Sequence, residues 1–195
     1  MENIAMRIFG LCVLMALSGC GGGGGGDVAG RPSPGQFDDL LDGTPISPPA
    51  SLPVSGRAHY DGYMRANLPT GVDGARAQYL ADLTLDVNFG AGFDQIREQA
   101  TGFETADRST LAGALVITNG NIYRDTDAAV AYSFDGDVDG ALTGPRGTYV
   151  IDATLEGEFL AQGQTAARGL VFGDIAGPAG QDIFDGTFAG TRRPD

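Results

Sequence analysis

From Ala77 to Phe89 the chain alternates. Ala77, Tyr79, Ala81, Leu83, Leu85, Val87 and Phe89 hold the odd positions, while Gln78, Asp82, Thr84, Asp86 and Asn88 hold even ones. A period of two places one apolar and one wet face on a single extended strand, because successive Cβ atoms point to opposite sides. Gly147 to Ala161 does the same, with Tyr149, Ile151, Ala153, Leu155, Gly157, Phe159 and Ala161 against Asp152, Thr154, Glu156 and Glu158. Weaker alternation predicts strands over Ala58–Asn67, Asp94–Thr101, Thr110–Thr118, Ala129–Phe134, Gly140–Leu142, Ala166–Phe172 and Ile183–Arg192. Turn signals separate them at Asn119-Gly120, Asp135-Gly136, Asp139-Gly140, Gly144-Pro145 and Gly177-Pro178. No segment carries a sustained helical stripe; only Phe93–Gln99 would pass for one turn.

These signs predict an all-β fold, a single small antiparallel β-barrel of about eight strands. Closure removes exposed strand edges, and about eight strands leave an interior that side chains just fill. Alternation alone does not say whether the apolar face points into the barrel or out toward lipid. Three features put the apolar face inside. Small residues such as Gly113, Ala153 and Gly157 interrupt it, aromatic residues form no double girdle, and the last residues are Arg192-Arg193-Pro194-Asp195.

The beginning of the chain reads as an export signal over residues 1–19. Arg7 precedes an apolar core from Ile8 to Leu17, ten residues against the ~20 of a membrane span. Either Met1 or Met6 serves as the start. Leu17-Ser18-Gly19-Cys20 resembles the bacterial lipoprotein signal. That resemblance implies cleavage before Cys20 and acylation of its thiol, with several acyl chains holding the membrane firmly. Gly21 follows the cysteine, the choice that permits sorting to the outer membrane in many enteric bacteria.

Residues 20–54 read as a tether. Gly21 to Gly26 is an unbroken glycine run, followed by Pro32, Pro34, Pro45, Pro48, Pro49 and Pro53. Glycine is flexible and proline stiff and extended; fully stretched, the segment reaches about 100 Å at ~3.3 Å per residue. Phe37-Asp38-Asp39-Leu40-Leu41 is its one sticky spot. Composition predicts a disordered acidic patch there; the alternative is a short element docked on the domain or on a partner. The barrel domain then occupies residues 55–195.

Charge and cysteine usage narrow the function. The net charge is −13, and all 12 basic residues are arginine. An acidic surface excludes nucleic acid as a partner, and the lack of lysine excludes a Schiff base or a P-loop. Cys12 leaves with the signal and Cys20 carries lipid, so the barrel has no disulfide. His59 is the single histidine, which makes a transition-metal site improbable and no cofactor expected.

The last third resembles the β-barrel domain of transferrin-binding protein B and its relatives, surface lipoproteins of Gram-negative bacteria. The resemblance is carried by Gly157-Glu158-Phe159, by Ala166-Ala167-Arg168-Gly169, and by Phe184-Asp185-Gly186-Thr187-Phe188-Ala189-Gly190-Thr191-Arg192. Leu111-Ala112-Gly113 and Asp139-Gly140-Ala141-Leu142-Thr143-Gly144 fit more loosely. It covers roughly residues 56–192 and implies a barrel module and a lipoprotein habit, not transferrin as ligand. The family turn carries an acidic residue and a Gly-Gly pair where this chain has Arg168 and Gly169 alone.

Candidate chemistry is sparse. Asp135, Asp137 and Asp139 with Gly140 open like a calcium loop, but Arg146 stands where the bidentate Glu belongs; the other reading is two acidic Asp-Gly turns. Glu156 and Glu158 share one strand face and would serve glycoside hydrolysis only across a cleft, which nothing in the sequence suggests. His59 lacks a nucleophile and an orienting acid, since Ser55 and Asp61 are only neighbours in sequence. Tyr60, Tyr63 and Met64 fit a binding rim and a packed strand equally. No catalytic residue is expected. The sequence predicts a non-enzymatic, lipid-anchored binding module at the outer membrane, presenting loops or a barrel face to a protein or solute, with the lipoprotein export machinery as a partner. The alternative is a periplasm-facing structural or assembly lipoprotein of the envelope.

Overall fold

A computed structural model describes residues 33–42, 52–124, 133–160 and 165–194. The signal and Cys20 lie outside them. Eight strands run in chain order: β1 Arg57–Leu68, β2 Ala77–Asn88, β3 Ile96–Glu104, β4 Thr110–Tyr123, β5 Ser133–Gly144, β6 Gly147–Leu160, β7 Ala166–Gly177 and β8 Gly180–Arg192. Each pairs antiparallel with the next, and β8 pairs with β1 to close the barrel. The expected all-β barrel of eight strands is therefore what forms.

Closure is tight at the β1–β8 seam. Gly62 stands opposite Gly190, and a Cβ on Gly62 would lie 2.0 Å from the Ala189 carbonyl oxygen. Beyond the seam, Arg193 N–H donates to the His59 carbonyl at 2.8 Å. Its guanidinium grips the buried Asp61 carboxylate through two bonds of 2.8 and 2.6 Å. A fork-shaped cation meeting a carboxylate in this way latches the last strand to the first.

The apolar face of every strand turns inward. Leu83, Leu85 and Val87 of β2 and Ile151, Leu155 and Phe159 of β6 belong to one continuous core. Phe159 sits at its aromatic centre, with ring centroids 4.6 Å from Phe134, 5.7 Å from Phe89 and 6.0 Å from Tyr60. The core also includes Leu52, placed ahead of β1. Outside, Asp137, Asp139, Asp152, Glu156, Asp174 and Asp182 are exposed along the strands. Such a wall faces water, because charges toward acyl chains cost several kcal/mol near the midplane.

Three predicted turns are not turns. Asp135-Gly136 and Asp139-Gly140 lie within β5, whose register with β6 is unbroken from Ser133↔Glu158 to Gly144↔Gly147. Phe134, Gly136, Val138, Gly140 and Leu142 form its inner face; the glycines are small inner residues, since a Cβ on Gly140 would stand 2.2 Å from the Ala114 carbonyl oxygen. Ser133 and Phe134, the described end of the strand predicted over Ala129–Phe134, and the strand predicted over Gly140–Leu142 are thus one; residues 129–132 lie outside the described residues. Asn119-Gly120 is a bulge: Asn119 takes φ 56°, the β4–β5 register shifts between Thr118 and Asn121, and β4 continues to Tyr123. Gly144-Pro145 and Gly177-Pro178 do turn the chain. Phe93 lies in a bend before β3 and not in a helix.

The sticky spot of the tether is a docked helix, α1, Pro34–Asp42. Disorder was expected on composition, but local chemistry starts this helix and the barrel holds it. Ser33 is its N-cap: the Gln36 side chain accepts from Ser33 N–H at 2.8 Å, and the Ser33 hydroxyl accepts from Gln36 N–H at 3.4 Å. This reciprocal pair, with Pro34 at the first helical position, is a capping box. Phe37 is wholly buried against the outside of the barrel. Its ring meets Tyr63 edge-on at 6.1 Å, and the Arg65 guanidinium lies 4.8 Å from its centroid.

Candidate functional site

The helix borders a groove in the outer wall. Its volume is about 1350 Å³, and it crosses the strands from Tyr123 and Ser133 over β5, β6, β7 and β8 to Arg65 and Asn67 of β1. Neighbouring strands are ~4.8 Å apart, so the groove runs roughly 20 Å.

One row of residues forms the floor of the depression. Phe134 pairs with Gly157, Gly157 with Gly169, and Gly169 with Phe188. A Cβ on Gly157 would stand 2.5 Å from Phe134 Cζ and 2.6 Å from Phe188 Cζ. The rings therefore lie where glycine side chains would be, and the wall is only one backbone thick. Gly157, Gly169 and Gly186 form the groove floor. Any larger residue at the first two positions would push the rings inward or the strands outward.

The rims are polar at one end and apolar at the other. Leu170 and Phe172 stand on the outer face of β7, exposed by 55% and 43%. Around them sit Asp42, Asp135, Glu156, Glu158 and Asp185, with Arg65 and Arg168 the groove's cations. Most of these charges are already matched. Arg65 pairs with Asp38 of α1. Arg168 donates to Glu158 at 2.8 Å and to the Leu40 and Leu41 carbonyls at 2.9 and 3.1 Å. A cation at a helix C-terminus satisfies its orphan carbonyls and its dipole. Arg76 binds Asp185 and reaches the Asn67 and Ile183 carbonyls at 2.7 and 3.0 Å.

Three carboxylates keep their charge toward the groove. Glu156 and Asp42 are exposed and meet no arginine among the described contacts. Asp135 accepts from the Tyr123 hydroxyl and from Asn121 N–H at 3.1 Å, both neutral donors. That hydrogen bond, with burial secondary, raises the Tyr123 phenol above its ordinary pKa.

The chain matches no protein-family model, no curated protein sequence and no solved structure.

The structure redistributes the residues singled out from sequence. Glu156 and Glu158 do border a groove, contrary to the expectation of none, but Glu158 is tied to Arg168. Asp135, Asp137 and Asp139 line up along the outside of one strand and do not converge as a loop. Asp137 is bonded by Asn119 at 2.9 Å, and among the described residues no cluster of three or more acidic, histidine or cysteine side chains is arranged for a metal. His59 is exposed and pairs with Asp86, its cross-strand neighbour. Tyr60 and Met64 are core residues, where burial raises the Tyr60 phenol; Tyr63 instead packs on Phe37. Ser55 is exposed and Asp61 belongs to Arg193. Arg168, Arg65 and Phe37 escaped the sequence reading as site residues. Ser33-Pro34-Gly35-Gln36 was the available signal for the helix that unites them.

Proposed function

We propose that this chain is a non-enzymatic, lipid-anchored binding module of the outer membrane that engages its partner on the outer wall of the barrel. One observation carries the reading: the interior is filled by its own side chains, while the outside holds a groove of about 1350 Å³. That volume lies above the ~300–1,000 Å³ of typical small-molecule pockets. Acylation of Cys20 after cleavage of residues 1–19 supplies the anchor, and the likeness to transferrin-binding protein B barrels supports a surface lipoprotein. Nutrient or metal acquisition is the process such a module would serve.

Docking of α1 shortens the leash. From Cys20 to Ser33 there are thirteen residues, at most ~45 Å at ~3.3–3.6 Å each, against about 100 Å for the whole tether. The groove beside α1 is thereby kept near the bilayer. That proximity favours a membrane-embedded or membrane-proximal partner, and it suits the second reading as well, a periplasm-facing structural lipoprotein.

The test has two arms. Intact mass of the mature protein carries an acyl increment on Cys20, and Cys20→Ser removes both the increment and membrane retention. Protease added to intact cells digests a surface module and spares a periplasmic one. A mature protein with no acyl mass overturns both readings.

A further inference from the structure

We infer that the outer groove receives an extended peptide segment of a partner protein in which basic and apolar side chains alternate. This rests on the groove being the binding face and names the chemistry of its occupant.

Three observations converge on that chemistry. The groove crosses four or more strands over roughly 20 Å, the length of about six extended residues at ~3.3 Å each. Its floor is the outward backbone of inward-facing residues, since Gly157 and Gly169 aim their missing Cβ positions at the Phe134 and Phe188 rings inside the barrel, so no side chain rises from the floor at these positions. Its open charges are of one sign. Arg65 and Arg168 are spent on Asp38, Glu158 and the α1 carbonyls, whereas Glu156 and Asp42 face the groove without a guanidinium among the described contacts. Leu170 and Phe172 stand beside Glu156, which pairs across the strands with Leu170 itself. A carboxylate next to an exposed apolar pair is complementary to a cation next to an apolar side chain. A purely apolar occupant would strand Glu156, and an acidic one would be repelled. Lone surface acids are common, but here they share one built depression with exposed leucine and phenylalanine.

Fluorescence anisotropy on the full chain in neutral-detergent micelles tests this with three labelled hexapeptides: alternating Arg-Leu, alternating Glu-Leu, and hexa-arginine. The Arg-Leu probe saturates with micromolar affinity, and Glu-Leu does not bind. Glu156→Arg weakens Arg-Leu binding about tenfold or more, and Leu170→Ser about fivefold. Asp139→Arg, on the same wall outside the groove, changes it less than about twofold. Equal weakening by Asp139→Arg, or hexa-arginine binding as well as Arg-Leu, reduces the effect to general attraction by an acidic protein and overturns the proposal. So does probe binding that vanishes as protein concentration rises, the mark of a second copy filling the groove. Crosslinking in envelope extracts separates the two levels of the argument. If Glu156→Arg and Leu170→Ser abolish crosslinks while no Arg-Leu binding is seen, the groove stands as the binding face and the peptide class falls. If neither variant alters the crosslinks or the probe binding, both fall.

Discussion

The Phe188 ring lies 2.6 Å from where a Cβ on Gly169 would stand, and the Glu156 carbonyl oxygen lies 1.9 Å from it. Glycine is thus required twice over, once by a ring inside the barrel and once by a neighbouring strand. Gly169→Ala destabilises the barrel by about 1–3 kcal/mol through overpacking, read as a lower urea midpoint with an unchanged slope. The combined change Gly169→Ala and Phe188→Leu recovers part of that loss, because the shorter side chain vacates the space.

Phe37 anchors α1 to the wall. Nine residues make a marginal helix in isolation, so its order depends on docking. Phe37→Ala removes on the order of 3 kcal/mol of apolar packing and frees the segment. Amide exchange over residues 35–42 then accelerates, while the strands keep their protection and the barrel unfolds at nearly the same midpoint. Arg168→Gln acts in the same direction by uncapping the Leu40 and Leu41 carbonyls.

Phe159 touches three aromatic rings at the centre of the barrel. Phe159→Ala costs about 3–5 kcal/mol, the largest loss expected of any single core truncation here. Phe159→Leu costs less because most of the volume is kept. Urea denaturation followed by far-ultraviolet circular dichroism ranks the two.

Two phenols and one carboxylate set the pH response. In the folded chain Tyr60 is raised mainly by burial and Tyr123 mainly by its bond to Asp135. A raised pKa means that their contribution to stability is complete below the ordinary tyrosine value of ~10 and fades as pH climbs through the raised one. Asp107 runs the other way. Its bond from the Thr105 hydroxyl lowers its pKa, so its contribution is complete above the usual ~3.9 and fades as pH falls through the lowered value. Spectrophotometric titration shows phenolate formation delayed beyond the ordinary range, and Tyr123→Phe removes one delayed step. Ionisation of every tyrosine in the ordinary range would contradict this packing.

The strands were legible because alternation is local. Ala77–Phe89 and Gly147–Ala161 announce an inner and an outer face within a single segment; the structure ends the first at Asn88 and describes the second through Leu160. Glycine misled where it had two meanings. In Asp135-Gly136-Asp137-Val138-Asp139-Gly140 the same letters spell a pair of turns or one strand with a small inner face, and only neighbours on β4 and β6 choose between them. The site was less legible still. Glu156 and Glu158 could be placed on one outer face, but Arg168, Arg65 and Phe37 come from three distant segments.

By itself, then, the order of side chains determined the period of two and the apolar face of each clear strand, since both follow from how one strand meets water. The capping box at Ser33 was equally local and stood in plain view. Only closure of the barrel decided that two phenylalanines slide beneath two glycines, that the wall sinks there, and that a helix from the tether borders the hollow. Those relations join residues from separate strands, and in the case of Arg168 and Leu40 more than a hundred positions apart, so no local periodicity encodes which distant group will fill the space of a missing Cβ.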